Sequence, residues 1–565
     1  MNYRDYIAEK LNVEGVGAEE ISSCIVVPPD TSMGDYALPC FKFAKVMRKS
    51  PAVIAADLAA AFKCDEVITS VQAVNGYLNF KVNRAGLIKS TLEKINAEGD
   101  KYGSSSEGAG RTICIDYSSV NVAKPFHIGH LSTTVIGGAL YRLYKFLGYN
   151  AVGINHLGDY GTQFGKLIYA YKHWGNPEEV EKGGVQELTR LYVRYHKESE
   201  KDPSMDDEAR RYFKLIENGD EECCALFEKF KALTLKEVQK IYDELDIKFD
   251  SYAGESFYND KMQPVIDELE EKGLLKTSEG AKIVDLSEYG MPPCLILRSD
   301  GASLYATRDL AAACYRKAHY NFEKCLYVVA YQQNLHFRQF FKVLELMGKP
   351  WAKDLVHVAY GMVSLLDENG NQVAMSTRNG TVVLLQDVLD KCHEKCLQVI
   401  ENKNPDLEDK ETVARQVGTG AVIFGALSNS KIKDIAFSYD KILNFDGETG
   451  PYVQYTAARI KSVLRKGGEP QPYVLPDVND DEYELISLLA TFPETVKSAV
   501  EKLEPFYITR YAIDVASAFN KFYFDCRIIG EKPDVCNFRL DICRATLTVL
   551  TNALTLLGIK IPERM

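Results

Sequence analysis

The feature that most constrains the fold is the segment 121–130, Asn-Val-Ala-Lys-Pro-Phe-His-Ile-Gly-His, which lies between a strand pattern and a helix pattern. The β-branched, largely apolar run 111–117 that precedes it has strand length. After Pro125, whose preceding residue is biased away from helix, apolar residues recur every three or four positions, as on one helix face. A second strand pattern follows at 151–155. Strand, loop, helix and strand form a βαβ unit, so the sequence predicts a doubly wound parallel sheet.

Four residues near the start of the predicted helix suit a phosphate ligand. His127 and His130 are three residues apart in the first helical turn, where backbone N–H groups and the helix dipole attract anions. Each imidazole can donate one more hydrogen bond to a phosphate oxygen. Gly129 lacks a Cβ, so a nucleotide base could pack on the backbone, and Lys124 could supply a mobile charge. Two histidines that only cap the helix are the structural alternative for this motif taken alone.

Composition limits the classes of protein to consider. A chain of 565 residues requires several domains. Its net charge of −12 argues against a general nucleic-acid coat protein, although local basic patches can still bind RNA. We expect no membrane segment and no signal peptide, and the 14 scattered cysteines are typical of reduced thiols in the cytoplasm. Cys392 and Cys396 have no second ligand pair, so we expect no protein-bound metal.

Six short stretches in a fixed order carry a resemblance to one family. They are His127-Ile-Gly-His130, Asn155-His-Leu-Gly-Asp-Tyr-Gly-Thr-Gln163, Tyr305-Ala-Thr-Arg-Asp309, Gln332-Gln-Asn-Leu-His336, Met375-Ser-Thr-Arg378 and Gly450-Pro-Tyr-Val-Gln-Tyr455. Together they resemble the arginyl-tRNA synthetases, which are class I aminoacyl-tRNA synthetases. The first stretch matches the family's histidine motif letter for letter, and the resemblance spans the whole chain.

The resemblance implies an α/β fold with three parts. These are a class I Rossmann-like parallel-sheet catalytic domain, an α+β N-terminal tRNA-binding domain and an all-α C-terminal anticodon-binding domain. The expected bounds are 1–105 for a domain that binds the tRNA corner, 111–380 for the catalytic domain, 381–440 for a helical connector and 441–565 for the anticodon-binding domain. The charged helical pattern predicts a helical insertion at about 175–290.

The implied activity is that of an arginine–tRNA ligase. ATP, as its Mg²⁺ complex, activates L-arginine to arginyl-adenylate with release of pyrophosphate. The 3′-terminal adenosine of tRNA(Arg) then accepts the arginyl group with release of AMP. Catalysis of this kind consists of positioning and stabilisation of phosphate charge, which the resemblance assigns to His127, His130 and Lys124.

The second nucleotide signature departs from the family's Lys-Met-Ser-Lys-Ser pattern. Met375, Ser376 and Arg378 are expected to bind ATP, as Gly129 is, but Ala374 and Thr377 stand where the two lysines would be. We expect Lys124 to supply the missing charge, since family members with degenerate signatures have a lysine just before the histidine motif.

Recognition of arginine requires carboxylates, because a guanidinium is always charged and presents forked donors. Asp116 at the predicted strand end and Asp309, one helical turn after Tyr305, are the expected guanidinium acids. Relatives commonly have glutamate at the first position, so the shorter Asp116 needs a slight shift or a bridging water. The other residues expected to bind arginine are Ser119, Asn121, His130, Tyr305 and Gln333.

Four residues are expected to contact tRNA. By resemblance, Tyr77 and Asn79 would meet the dihydrouridine loop, the tyrosine by stacking on a base and the amide by reading a base edge. Tyr452 and Arg459 lie in a helix that mixes aromatic and basic residues, which suits single-stranded RNA. A buried edge-strand pair and a solvated helix face are the respective structural alternatives.

Three other functions stay open from the sequence. They are a nucleotidyltransferase that makes a small-molecule adenylate, a non-enzymatic RNA-binding paralogue, and a class I synthetase for another amino acid. The expected partners remain tRNA(Arg), L-arginine and ATP, with the enzyme a monomer. We also expect amino-acid activation to wait for tRNA, as it does in relatives of this type.

Overall fold

A computed structural model describes residues 3–28, 33–299, 305–366 and 383–565. The chain forms two compact units. The first comprises Met1–Gly99, Lys466–Thr491 and Ala518–Thr546, and the second comprises Asp100–Arg465, Phe492–Ser517 and Leu547–Met565.

The N-terminal part of the first unit combines helices with a small antiparallel sheet. Its elements are α1 (Tyr3–Lys10), α2 (Ala18–Cys24), β1 (Tyr36–Pro39), α3 (Ala44–Met47), α4 (Pro51–Ala61), β2 (Ile68–Val74), β3 (Tyr77–Val82) and α5 (Arg84–Glu98). The strand order is β1-β3-β2, so β3 is the central strand. Helix α5 begins after Asn83, whose side chain accepts a hydrogen bond from the Gly86 amide at 3.1 Å.

The second unit contains the predicted βαβ arrangement. Its elements up to residue 366 are β4 (Thr112–Asp116), α6 (Leu131–Phe146), β5 (Asn150–Ile154), α7 (Thr162–Trp174), α8 (Pro177–Ser199), α9 (Met205–Glu217), α10 (Glu221–Glu244), α11 (Met262–Glu271), β6 (Leu275–Ser278), β7 (Ala281–Val284), β8 (Cys294–Leu297), α12 (Tyr305–Tyr320), β9 (Lys324–Tyr327), α13 (Asn334–Leu346), β10 (Leu355–His357) and β11 (Val363–Leu365).

A parallel sheet of order β10-β9-β4-β5 carries the loops of interest at one edge. The last residue of β4, Asp116, is in register with Tyr327 of β9 and Ile154 of β5. The sheet confirms the predicted fold class, and parallel pairing places the segments that follow all three strands at the same edge.

The segment after residue 175 is helical only in its first part. Helices α8, α9 and α10 follow the prediction, but β6 and β7 form an antiparallel hairpin where helix was expected up to about 290. Glu279 and Gly280 turn the chain between them with φ of 49° and 82°. Two consecutive positive φ values are typical of a two-residue hairpin turn, and a Glu-Gly pair is a weak sequence signal for it.

The remaining elements are almost all helices. They are α14 (Leu385–Lys403), α15 (Lys410–Leu427), β12 (Ile435–Phe437), α16 (Tyr439–Ile442), α17 (Gly450–Gly467), α18 (Asp480–Ala490), α19 (Phe492–Glu501), α20 (Phe506–Asp525) and α21 (Pro533–Leu557). Among the described helices, α21 is the one long and apolar enough to cross a membrane by length and composition. Since 72% of its most apolar window is buried inside the protein, a core helix explains it equally well.

Helix α6 packs tightly against the end of β4. A Cβ added at Gly137 would lie 2.3 Å from both Cβ and Cγ of Tyr117, whose side chain is fully buried. These Tyr117 atoms lie next to the backbone and cannot move aside as the end of a flexible side chain could. The glycine therefore allows the close approach of helix and strand on which the adjacent loop depends.

We expect Gly137→Ala to destabilise the protein by about 1–3 kcal/mol, because the added methyl must displace Tyr117 or the helix. Gly86→Ala is the matched control, since a Cβ there meets only ordinary contacts at 3.5 Å and beyond, to Asn83. That change should be neutral or slightly stabilising. Thermal melting followed by circular dichroism checks both, and equal melting temperatures for the two variants would contradict the packing argument.

Candidate active site

The two histidines of the 127–130 stretch close a reciprocal cap on a single 3₁₀ turn, Ile128–His130, which leads directly into α6. The Gly129 amide donates to Nδ1 of His127 at 3.1 Å, and the His127 amide donates to Nδ1 of His130 at 3.2 Å. The rings lie 4.0 Å apart, and that of Phe126 stacks on His130 at 4.9 Å. An imidazole that accepts a hydrogen bond at Nδ1 carries its proton on Nε2.

Both imidazoles are neutral at physiological pH. Burial, followed by the charge of Lys124, lowers the pKa of His127. Burial also lowers the pKa of His130 to about 3, with His127 as the next cause. Both rings therefore add no charge to the site, and His127, whose Nδ1 accepts from the Gly129 amide, offers an Nε2–H donor, which suits hydrogen bonding to a phosphate oxygen.

Gly129 determines where the His127 ring lies. A Cβ at this position would come within 2.8 Å of Cε1 and 2.9 Å of Nδ1 of that ring. A side chain would push the imidazole out of the cap and remove the hydrogen bond from the Gly129 amide. The sequence had suggested a different reason for this glycine, namely space for a nucleotide base.

The loop between β4 and the histidine turn is strained. Ser118, Ser119 and Ala123 all have positive φ, at 67°, 46° and 60°. The loop is held by hydrogen bonds from the Ser118 amide to Thr133 Oγ1 at 3.0 Å and from the Ala123 amide to Thr234 Oγ1 at 2.9 Å. Backbone strain in non-glycine residues is concentrated at functional sites in proteins, because only a rigid surrounding can maintain it.

Asn121 packs against the loop that follows β5. Its backbone bridges to Gly158, and a Cβ at Gly158 would lie 2.3 Å from Asn121 Oδ1. Gly158 thus leaves room for the amide that the sequence assigned to arginine. Ser119 and Asn121 are both half-buried, so their polar atoms remain near solvent.

Lys124 interacts electrostatically with a partly buried carboxylate, Glu255, that the sequence did not single out. Burial lowers the pKa of Lys124, while Glu255 opposes that effect. Burial raises the pKa of Glu255 to about 7, and the nearest countercharge is Arg308, whose Nη1 is 3.2 Å away. Glu255 follows α10, more than 100 residues after the histidine motif, so spacing in the sequence could not relate the two.

The first predicted guanidinium acid, Asp116, already has a cationic partner. Arg316 Nη2 lies 2.7 Å from Asp116 Oδ2, with side-chain exposures of 1% and 7%. Asp116 Oδ1 accepts a hydrogen bond from Ser119 at 2.8 Å. A substrate guanidinium would therefore share this carboxylate with Arg316. The sequence did contain a signal for Arg316: it lies seven residues after Asp309, on the same face of α12.

The second predicted acid, Asp309, is more accessible. Its side chain is 26% exposed, and His336 Nε2 lies 2.6 Å from Oδ2. Tyr305, one turn earlier in α12, is 66% exposed, and Gln333 is exposed as well. Three residues of the predicted arginine set thus lie on solvent-accessible surface at the start of α12 and just before α13.

The residues expected to bind tRNA differ in exposure. Tyr77 is exposed, and its ring meets Phe41 edge-on at 5.3 Å, whereas Asn79 is buried on the same strand. This strand is central, so the alternative of an edge-strand pair does not describe it. Arg459 lies over the exposed ring of Tyr455 at 4.9 Å in α17, and Tyr452 is half-buried in the same helix.

Part of the predicted nucleotide site lies outside the described residues, namely Met375, Ser376 and Arg378, together with Ala374 and Thr377. Among the residues that the structure describes, no group of three or more His, Cys, Asp or Glu side chains is placed to hold a metal. Cys392 and Cys396 are buried along α14.

The parallel sheet and the histidine cap at the end of its inner strand define the catalytic domain of a class I aminoacyl-tRNA synthetase. The family model described as "tRNA synthetases class I (R), catalytic domain" matches residues 91–439. Models of the arginyl tRNA synthetase N terminal domain and of the DALR anticodon binding domain match residues 1–82 and 453–565.

The chain belongs to the arginyl-tRNA synthetase family. The arginine–tRNA ligases of Alkaliphilus metalliredigens and Clostridioides difficile are 50% and 52% identical to it, over 100% and 98% of both chains. The solved structure of arginyl-tRNA synthetase from Thermus thermophilus matches with a TM-score of 0.83 at 26% identity and covers 96% of each chain. These findings confirm the resemblance drawn from the sequence, and the enzyme uses ATP to ligate arginine to tRNA.

We expect Gly129→Ala to lower the rate of aminoacylation by about 10²- to 10³-fold, because displacement of the His127 ring would remove a hydrogen-bond donor from the expected phosphate site. Ser132→Ala is the control: its hydroxyl is buried one turn later and has no hydrogen-bond partner among the described residues. Steady-state charging of tRNA measures both. Near-normal activity of Gly129→Ala would show that the reciprocal cap is dispensable.

Proposed function

We propose that His127, His130 and Lys124 bind the phosphates of ATP, and that Asp309 and Asp116 select the guanidinium of L-arginine. The enzyme would form arginyl-adenylate with release of pyrophosphate, then transfer arginine to the 3′-terminal adenosine of tRNA(Arg) with release of AMP. The reciprocal histidine cap is the observation that carries this proposal. It leaves a neutral Nε2–H donor on His127, beside the neutral ring of His130, at the edge of the sheet where nucleotides bind in such folds.

In the activation step, the carboxylate of arginine attacks the α-phosphate while pyrophosphate leaves on the opposite side. Donors on His127 and His130 would stabilise the charge that develops on the phosphate oxygens, without a covalent intermediate. The strained loop would hold the protein groups that bind the substrates in place before the substrates arrive. This reduces the reorganisation needed in the transition state. ATP would enter with Mg²⁺ as part of the substrate complex.

Lys124 is the proposed source of positive charge for the leaving pyrophosphate. It lies three residues before His127, and its lowered pKa reflects burial beside the site. Glu255 can hold the ammonium group until a phosphate replaces it. Gly129, Met375, Ser376 and Arg378 complete the proposed ATP site, the last three by resemblance alone.

For the amino acid, we assign the guanidinium first to Asp309, because that carboxylate is partly exposed, and next to Asp116, which is shared with Arg316. Two oxygens of one carboxylate match the forked donors of a guanidinium, whereas the ammonium of lysine offers no planar fork. Ser119, Asn121, His130, Tyr305 and Gln333 would hold the remaining polar groups of arginine.

The tRNA contacts are proposed on exposure and chemistry. Tyr77 and Asn79 would contact the corner of the tRNA. Because Asn79 is buried, only a base edge inserted toward the strand could reach its amide. Tyr452 and Arg459 would contact the anticodon region from α17. We further propose that the enzyme acts as a monomer in the cytoplasm.

The test of the proposed function is charging of tRNA with labelled arginine in the presence of ATP and Mg²⁺, beside lysine and glutamine. We expect arginine alone to be attached, and we expect arginine-dependent pyrophosphate exchange only when tRNA is present. Pyrophosphate exchange in the absence of tRNA would refute only the expectation that activation requires tRNA. Absence of charging with folded enzyme and homologous tRNA would refute the assignment of function.

Asp309→Asn should raise the KM for arginine by about 30- to 5,000-fold and change the KM for ATP little, because a charge-assisted contact of this kind costs about 2–5 kcal/mol when one partner loses its charge. Asp267→Asn, an exposed position on α11, is the control and should behave as the parent enzyme. Comparable increases in both KM values for Asp309→Asn would argue against its role in arginine binding.

A further inference from the structure

Asp309, one of the two proposed guanidinium acids, forms an ion pair with His336, a residue to which no role has been assigned. His336 Nε2, in the first turn of α13, lies 2.6 Å from Oδ2 of Asp309 on α12, and each side chain is 26% exposed. Phe337 and Phe340 flank the imidazole at ring distances of 5.4 and 6.3 Å. These two aromatic rings hold the imidazole in position, and its Nε2 contacts the carboxylate of Asp309.

We propose that His336 occupies Asp309 as a surrogate cation in the absence of substrate and yields that carboxylate to the guanidinium of arginine, so that binding of arginine releases a proton. This inference rests on the proposed role of Asp309 in holding the guanidinium. When neutral, His336 can still donate from Nε2 to one oxygen of Asp309 and orient the other toward the substrate.

The protonation of His336 depends on a small set of neighbours among the described residues. Burial by itself lowers the pKa of His336, but the hydrogen bond and charge of Asp309 outweigh it and hold the pKa above its ordinary value. On β10, His357 has a pKa lowered by burial, and its Nε2 lies 2.9 Å from the Val329 carbonyl oxygen. His357 is therefore neutral and cannot replace His336 as the cation.

Two further titratable groups face Asp309 itself. The Asp309 charge adds to burial in raising the pKa of Cys294, which keeps that thiol protonated. Glu255 has a pKa of about 7 and is the other group that could lose a proton when a cation enters the site. The two candidate sources of a proton, His336 and Glu255, lie on different elements and can be separated by substitution.

The consequence follows from linkage between proton and substrate binding. Below the pKa of His336 the imidazolium competes with the guanidinium for one carboxylate, and two cations at hydrogen-bond distance from it repel each other. The affinity for arginine should therefore fall by up to about tenfold for each pH unit below that pKa and level off above it. A residue with a merely structural role would leave the slope unchanged.

Titration calorimetry of the full chain with arginine, between pH 5.5 and 8.5 in buffers of different ionisation enthalpy, tests the proposal. The parent enzyme should release about half a proton per arginine at the pKa of His336, approach one proton below that pKa and release none well above it, and its Kd should rise as pH falls. His336→Gln keeps a side-chain donor but does not titrate, so its Kd should depend little on pH and its proton release should disappear. His357→Gln is the matched control and should behave as the parent.

The outcomes separate this inference from the proposed function. Binding of arginine without proton release by the parent enzyme would overturn the role of His336 and leave the activity standing, even if the variant failed to fold. Proton release that persists in His336→Gln would assign the proton to Glu255 and likewise overturn it. Failure of the parent enzyme to charge tRNA with arginine at any pH would instead refute the proposed function.

Discussion

The parallel pairing of β4 with β5 on one side and β9 on the other is the constraint on which the site depends. Because the three strands run in the same direction, the segments that leave them emerge at one edge of the sheet. Strand β4 ends at Asp116 and is followed by the strained loop and the histidine turn. Strand β5 leads to Gly158, and β9 leads to the turn before α13. Asp116 and Tyr327, which are more than 200 positions apart in the sequence, are therefore neighbours in the sheet.

Three carboxylates in this region each pair with a cationic or protonatable side chain of the protein. Asp116 pairs with Arg316, Asp309 with His336, and Glu255 with Arg308. A pocket for a cationic amino acid and a polyanionic nucleotide must contain charges of both signs, and leaving any of them buried alone would cost several kcal/mol. The pairs differ in exposure. Arg316 and Asp116 are almost fully buried, whereas His336 and Asp309 are each 26% exposed, which is why we propose that a substrate can replace His336 but not Arg316.

Local patterns predicted much of this arrangement and failed where contacts are distant. The βαβ unit, the histidine motif and the pair Tyr305 and Asp309 all depend on periodicity or short spacing, which a sequence displays directly. The hairpin of β6 and β7 escaped prediction because its turn residues, Glu-Gly, are a weak signal. Glu255 was missed because nothing in its own surroundings relates it to Lys124. Arg316 lies on the same face of α12 as Asp309, but its pairing with Asp116 joins residues 200 positions apart and could not be read from spacing.

By itself the sequence determined the family, the class of fold, the identity of the motif residues and their order along the chain, since these follow from residue type and short-range spacing. Only the tertiary structure decided which ionisable groups face one another and which proton each one holds. The histidine cap shows the difference. The residues His127 and His130 can be read from the sequence, but their neutral state is a consequence of burial, and burial is a property of the packed protein.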